Sequence, residues 1–217
     1  MNKLEIQHLS KEIDGIFLLN DINIQMEQGK IYGIVGKNGS GKTMFFRMLA
    51  GLTKASEGKI VFNGEKNVFG KKMAYELGIL IENAGLYPEF SGFENLKLLA
   101  SIRKKIGNNE IIDAIERVGL CAKDKRKVKK YSLGMKQRIT IAQAIMEKPQ
   151  VLLLDEPTNA LDEKGVEEVR KIILEEKERG AIVCLASHNA EDIRVLCDEI
   201  YEIKEGTFYN VEKYRKE

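Results

Sequence analysis

The sequence predicts one α/β domain with a mainly parallel sheet, an antiparallel β section near its N-terminal end and a helical insertion in its middle. Three observations carry this. The apolar runs Val151-Leu152-Leu153-Leu154 and Ala181-Ile182-Val183-Cys184-Leu185-Ala186 do not alternate and are separated by a helical pattern, as in a parallel sheet covered on both faces. Leu4, Ile6 and His8, and again Ile22, Ile24 and Met26, recur every second residue, as in half-buried antiparallel strands. From residue 85 to residue 147 the period becomes helical.

Taken in order, residues 4–8 and 22–26 are the antiparallel pair. Residues 30–35 form a buried strand ending at Gly36, and residues 44–50 a helix. Lys59-Ile60-Val61-Phe62 is a short strand closed by the turn pair Asn63-Gly64. Gly78-Ile79-Leu80-Ile81 is an apolar strand ending at Glu82-Asn83. Ser91 and Glu94 have capping-box spacing, and Leu96, Leu99 and Ile102 follow as an apolar stripe. Asn108 or Asn109 is the expected cap of the next helix, whose stripe is Ile111, Ile112, Ile115 and Val118 and whose end is Gly119. A basic connection over residues 123–130 leads to a helix over residues 133–146. After the strand at residue 151, a helix carries Val166, Val169, Ile172 and Ile173 on one face. A strand over 181–186, a short helix over 191–196 and a hairpin around Glu205-Gly206 complete the chain.

At 217 residues this is one unit with a sizeable core. Lys plus Arg number 35 and Asp plus Glu 33, so the net charge of +2 gives no field that favours nucleic acid. Cys121, Cys184 and Cys197 have no metal-ligand spacing and read as reduced thiols, Cys184 in the core. No run approaches 18 apolar residues and no apolar leader opens the chain, so a non-spanning protein is expected. His8 reads as a strand surface residue. The basic run Lys123, Lys125, Arg126, Lys127, Lys129 and Lys130 reads either as a solvated loop or as a docking surface.

The chemistry concentrates in three stretches. Residues 36–43 read Gly36, Lys37, Asn38, Gly39, Ser40, Gly41, Lys42, Thr43 and fit G-x-x-x-x-G-K-[ST] between a strand and a helix. The glycines let the backbone N–H groups turn toward a polyphosphate, and the helix adds its positive N-terminal end. Lys42 is placed for the β- and γ-phosphates and Thr43 for Mg²⁺. The alternative is a plain glycine-rich turn. Asp155, at the C-terminal end of a buried strand, is a second Mg²⁺ ligand candidate, and Glu156 a general base for an attacking water. Ser132 opens a helix as a cap or as part of an anion site, and the residues alone do not decide which.

Together these stretches resemble the nucleotide-binding subunit of an ABC (ATP-binding cassette) transporter, over nearly the whole chain. Residues 36–43 are similar to the Walker A loop, Leu154-Asp155-Glu156-Pro157-Thr158 to Walker B, and Asn159-Ala160-Leu161-Asp162 to the D-loop. Ser187-His188 resembles the switch histidine, and Tyr131-Ser132-Leu133-Gly134-Met135-Lys136-Gln137-Arg138 the family signature. The resemblance implies a phosphate-loop (RecA-like) core over residues 1–84 and 148–217, with a helical subdomain over 85–147. It implies ATP and Mg²⁺ as cofactors and a second ATPase subunit, so that two subunits sandwich two ATP molecules. Ser132 and Gly134 would then face the γ-phosphate held by the other subunit's Lys42, His188 would contact the γ-phosphate, and Asp162 would bridge the subunits. It also implies a polytopic membrane permease as partner and a place at the cytoplasmic face of the membrane.

Four features depart from the family pattern. Glu82 stands where Gln usually ligates Mg²⁺, and it remains an oxygen ligand candidate. Leu133 and Met135 replace Gly and Gln in the signature, and with Leu80-Ile81-Glu82-Asn83 this variant resembles bacitracin and lantibiotic export ATPases. Ala160 replaces a common Gly. The adenine-stacking aromatic falls on Ile13, with Phe17 as a substitute or as plain core. The expected function is therefore the ATPase subunit of an exporter for an antimicrobial-peptide type of substrate. The competing readings are a soluble ABC ATPase and an importer subunit.

Overall fold

The computed structural model describes residues 2–67, 69–81 and 85–211. Strands β1 (Lys3–Ile13) and β2 (Ile16–Glu27) pair antiparallel around a turn in which Asp14 and Gly15 both have positive φ, 51° and 79°. The alternation holds for Leu4 and Ile6, which are buried, and then breaks. His8 is exposed, as a strand surface residue, and has φ 51°; the alternation that would put it on the face of Leu4 and Ile6 is broken by the register shift between Ile6 and Leu9. Gly58 makes room there: a Cβ at that position would lie 2.1 Å from the His8 carbonyl oxygen.

Next come β3 (Ile31–Val35), α1 (Lys42–Leu49), β4 (Glu57–Phe62), β5 (Glu65–Asn67) and β6 (Leu77–Leu80). The insertion contains α2 (Gly92–Arg103), α3 (Asn108–Arg117), a single 3-10 turn (Val128–Lys130) and α4 (Leu133–Ile145). The chain closes with β7 (Val151–Asp155), α5 (Glu163–Glu178), β8 (Ile182–Ala186), α6 (Ala190–Leu196), β9 (Glu199–Lys204) and β10 (Thr207–Asn210).

Two sheets form. One is antiparallel, in the order β2-β1-β4-β5; the other has the order β10-β9-β3-β8-β7-β6. In the second sheet β9, β3, β8, β7 and β6 run parallel, and only the β9–β10 hairpin is antiparallel. The parallel strands are apolar on both faces, and each face has its own core. Val151, Leu153, Ile182 and Cys184 pack toward α1 and the antiparallel sheet. Leu152, Leu154, Val183 and Leu185 pack toward α4, α5 and the rest of the insertion. The larger sheet is thus the middle of three layers.

The insertion is locally well specified. The Ser91 hydroxyl accepts from the Glu94 N–H (3.2 Å) while the Glu94 carboxylate accepts from the Ser91 N–H (2.7 Å), the reciprocal cap that the spacing predicts. Two expectations fail here. Gly107, and neither Asn108 nor Asn109, precedes α3, and Glu110 accepts from its N–H at 2.9 Å. A carboxylate reaching back makes a side-chain cap from asparagine unnecessary. Ile102 is 73% exposed, in the last turn of α2, which ends one residue later at Arg103. Phe17 is also no core residue. It is 47% exposed and pairs with Glu12 in the last register positions before the Asp14-Gly15 turn.

Candidate functional site

The C-terminal ends of β3, β7 and β8 lie side by side, and the residues that follow them meet in one cleft of 620 Å³. Its lining includes Gly39, Lys42 and Thr43 after β3, Asp155 and Glu156 at β7, and His188 after β8. Leu18, Met44 and Leu80 add apolar wall.

The loop after β3 needs its glycines for space. A Cβ at Gly36 would fall 2.5 Å from the Ser40 hydroxyl, and one at Gly41 would fall 2.9 Å from the Leu18 carbonyl oxygen. Gly41 (φ 108°) precedes α1 without any side-chain cap, so the first amides of α1 stay available at its positive end. Lys42 is 8% exposed. Its Nζ donates to the carbonyls of Gly36 (2.7 Å) and Lys37 (3.1 Å), and burial pulls its pKa down against the attraction of Asp155 and Glu156. The Ser40 hydroxyl is buried and finds no partner among the described residues.

Opposite the loop, Thr43 Oγ1 donates to Asp155 Oδ2 at 2.9 Å. A hydroxyl and a carboxylate so placed form a hard oxygen pair of the kind Mg²⁺ takes. The uncapped amides, Lys42 and the unpartnered Ser40 hydroxyl match the oxygens of a polyphosphate. Both groups therefore fit this donor set.

Glu156 has φ 51°, outside the ordinary range for a non-glycine residue. Its Oε1 is buried, lacks a hydrogen bond among the described residues and lies 3.7 Å from His188 Nε2. Burial pushes its pKa up, while the His188 backbone N–H and ring pull the other way.

Behind the site lies a polar cluster that the sequence reading missed. The Asp192 carboxylate is fully buried. It accepts from Thr158 Oγ1 (2.6 Å), from Arg170 Nε (2.7 Å) and from Ser187 Oγ (3.4 Å). It thereby ties the segment after Glu156 to the residue before His188. Gln137 was also missed as a lining residue, although it stands inside a quoted motif. Its hydrogen bonds are to the carbonyls of Glu156 and Pro157, just beyond β7, and no local pattern encodes them.

Other expected residues lie elsewhere. Gly36 and Lys37 line an adjoining cavity of 340 Å³ with Ser187 and His188. Ser132, Gly134 and Asp162 are absent from the lining of the cleft. The Ser132 hydroxyl caps α4 through the Met135 N–H (3.1 Å), and Asp162 caps α5 through the Gly165 N–H (3.0 Å). Gly134 packs on the D-loop-like segment, where a Cβ would come 3.0 Å from the Ala160 carbonyl oxygen. Glu82 lies outside the described residues. The basic run is partly neutralised: Lys127 and Lys129 both reach Glu89, and Arg126 pairs with Asp124.

A family description, ABC transporter, matches residues 19–159. The chain is 48% identical over 216 residues to the uncharacterized ABC transporter ATP-binding protein YybJ of Bacillus subtilis (strain 168), covering 99% of each chain. It is 36% identical over 211 residues to the lantibiotic transport ATP-binding protein SrtF of Streptococcus pyogenes, covering 97% of this chain and 91% of SrtF. Its fold is similar to the dimeric structure of the ABC transporter cassette MJ0796, with a TM-score of 0.86, 24% identity and coverage of 99% and 100%.

Proposed function

We infer that this chain, which belongs to the ABC transporter family, is an ATP-hydrolysing subunit that powers a separate membrane permease, in the export of an antimicrobial-peptide type of substrate. The observation that carries the site assignment is the Thr43–Asp155 hydrogen bond beneath an uncapped helix start, in one cleft with Glu156 and His188.

Residues 36–43 hold the phosphates through backbone amides and Lys42. Thr43 and Asp155 would hold Mg²⁺, which supplies neutralisation of phosphate charge. Glu156 takes the proton of a water that attacks the γ-phosphorus as the bond to the β,γ-bridging oxygen breaks and ADP leaves with that oxygen, and the buried setting that raises its pKa strengthens it as a base. His188 stands beside it to contact the γ-phosphate. Asp162 and the Ser132–Gly134 helix start serve the cleft of a second copy. Their position outside their own cleft supports this, as does the 70% exposure of Leu133 at the same helix start. Residues 1–84 and 148–217 act as the nucleotide-binding core and residues 85–147 as the subdomain that presents the signature. Glu82 is a further metal ligand in this reading.

No helix among the described residues is long and apolar enough to cross a membrane, which suits a subunit seated against a permease at the cytoplasmic face. The test has two arms. Glu156→Gln is expected to bind ATP, lose hydrolysis and accumulate as an ATP-bound dimer in light scattering; hydrolysis at the parent rate would sink the base assignment. Affinity purification from detergent-solubilised membranes is expected to return a polytopic protein. Return of soluble partners alone would favour a non-transport ATPase.

A further inference from the structure

Gln137 belongs to the insertion, yet it reaches the core at the most unusual residue of the cleft. Its Nε2 donates to the carbonyl of Glu156 at 3.0 Å and to that of Pro157 at 3.0 Å. An amide NH₂ carries two protons, so each carbonyl can have its own. Glu156 is the residue with φ 51°, a strained conformation for a non-glycine residue that persists only where its surroundings over-determine it. The sheet supplies one constraint, since the Glu156 N–H still donates to the Ala186 carbonyl at 2.9 Å. Gln137 supplies the other, on the opposite side of the same residue.

Other polar ties between insertion and core land elsewhere: Arg117 pairs with Glu175 and Glu176 and Arg138 with Glu168 on α5, and Arg103 and Lys105 pair with Glu76 ahead of β6. Among the described residues, Gln137 is the insertion side chain that lines the cleft.

We propose that Gln137 is a positioning residue for Glu156: its two hydrogen bonds fix the left-handed backbone that aims the carboxylate into the cleft, and so make that aim depend on where α4 sits. The inference rests on the reading of Glu156 as the base that activates water. It adds a link through which placement of the helical insertion is felt at the reacting end of the site. Loss of the link leaves the phosphate loop untouched, because Gln137 makes no hydrogen bond to residues 36–43.

The test is steady-state ATP hydrolysis by the full chain carrying Gln137→Met, which keeps the length of the side chain and removes the donors. The expected result is a fall in kcat of about ten-fold or more with KM for ATP changed by less than about two-fold. Gln137→Lys, which restores N–H donors, is expected to recover part of the loss. Gln137→Asn keeps the amide but is too short to reach both carbonyls. It should show the same split, and it replaces the methionine variant if that one does not unfold cooperatively. Glu156→Gln is measured in parallel. If it abolishes hydrolysis while Gln137→Met and Gln137→Asn retain the parent kcat, the positioning role is wrong and the base assignment stands. A rise in KM at unchanged kcat also overturns the positioning role. Parent-rate hydrolysis by Glu156→Gln overturns the base assignment, and the positioning role with it.

Discussion

Thr43 Oγ1 and Asp155 Oδ2 are 2.9 Å apart although 112 positions separate them in the chain. One residue stands in the first turn of α1 and the other closes β7, and the parallel sheet brings those ends together. Thr43→Val and Asp155→Asn are each expected to lower Mg²⁺-supported ATP hydrolysis by about ten-fold or more, and the double variant to be little worse than the poorer single one. A Mg²⁺ titration of the four proteins checks this; additive losses would mean that the two residues act separately.

Asp192→Asn should destabilise the fold strongly. The carboxylate is wholly buried against Arg170, and breaking a buried ion pair on one side costs about 3–5 kcal/mol. Thr158→Val removes one hydrogen bond of the same cluster and should cost about 1 kcal/mol. Urea unfolding of both variants reads the difference.

Gly78→Ala tests the seat of the insertion. A Cβ there would lie 2.0 Å from the Ala144 carbonyl oxygen and 2.7 Å from Pro149 Cγ, so α4 must lift from β6. The expected cost is about 1–3 kcal/mol in unfolding experiments, with a lower kcat because α4 also carries Gln137. A neutral substitution would show that the two elements are not held that closely.

Glu89 accepts from Lys127 and from Lys129, and these hydrogen bonds lower its pKa to about 2 from the ordinary 4.5. A carboxylate depressed on folding stabilises the folded state above its unfolded pKa, and that contribution fades as pH falls from about 4.5 through about 2. Carboxyl-carbon NMR titration of Glu89 should give the low value in the parent. In Lys127→Ala/Lys129→Ala it should return toward 4.5. An unshifted parent would show the pairs to be too solvated to matter.

Most of the architecture was legible because it is written in local patterns. The unalternated strands Val151–Asp155 and Ile182–Ala186 announced a sheet covered on both faces, and the Ser91–Glu94 box announced α2. His8 is the surface residue it reads as, but the alternation with Leu4 and Ile6 does not extend to it, because a register shift leaves no trace in residue type. Ile102 was misplaced because a stripe does not say where the cover stops. In the site, Lys42, Thr43, Asp155 and Glu156 were readable from spacing and strand ends. Asp192 and Gln137 were not, because their partners are brought to them by the fold: Thr158, Arg170 and Ser187 for one, two backbone carbonyls for the other.

Ser132 stands apart from the cleft that contains the Lys42 of its own chain. If each cleft is completed by the other copy, the two positions fall into different complementation groups within one gene. A chain damaged at Ser132 and a chain damaged at Lys42 are each inactive as homodimers. Mixed, they place intact Lys42 opposite intact Ser132 in one of the two clefts and concentrate both lesions in the other. Two null alleles, co-expressed, would then restore half of a working machine.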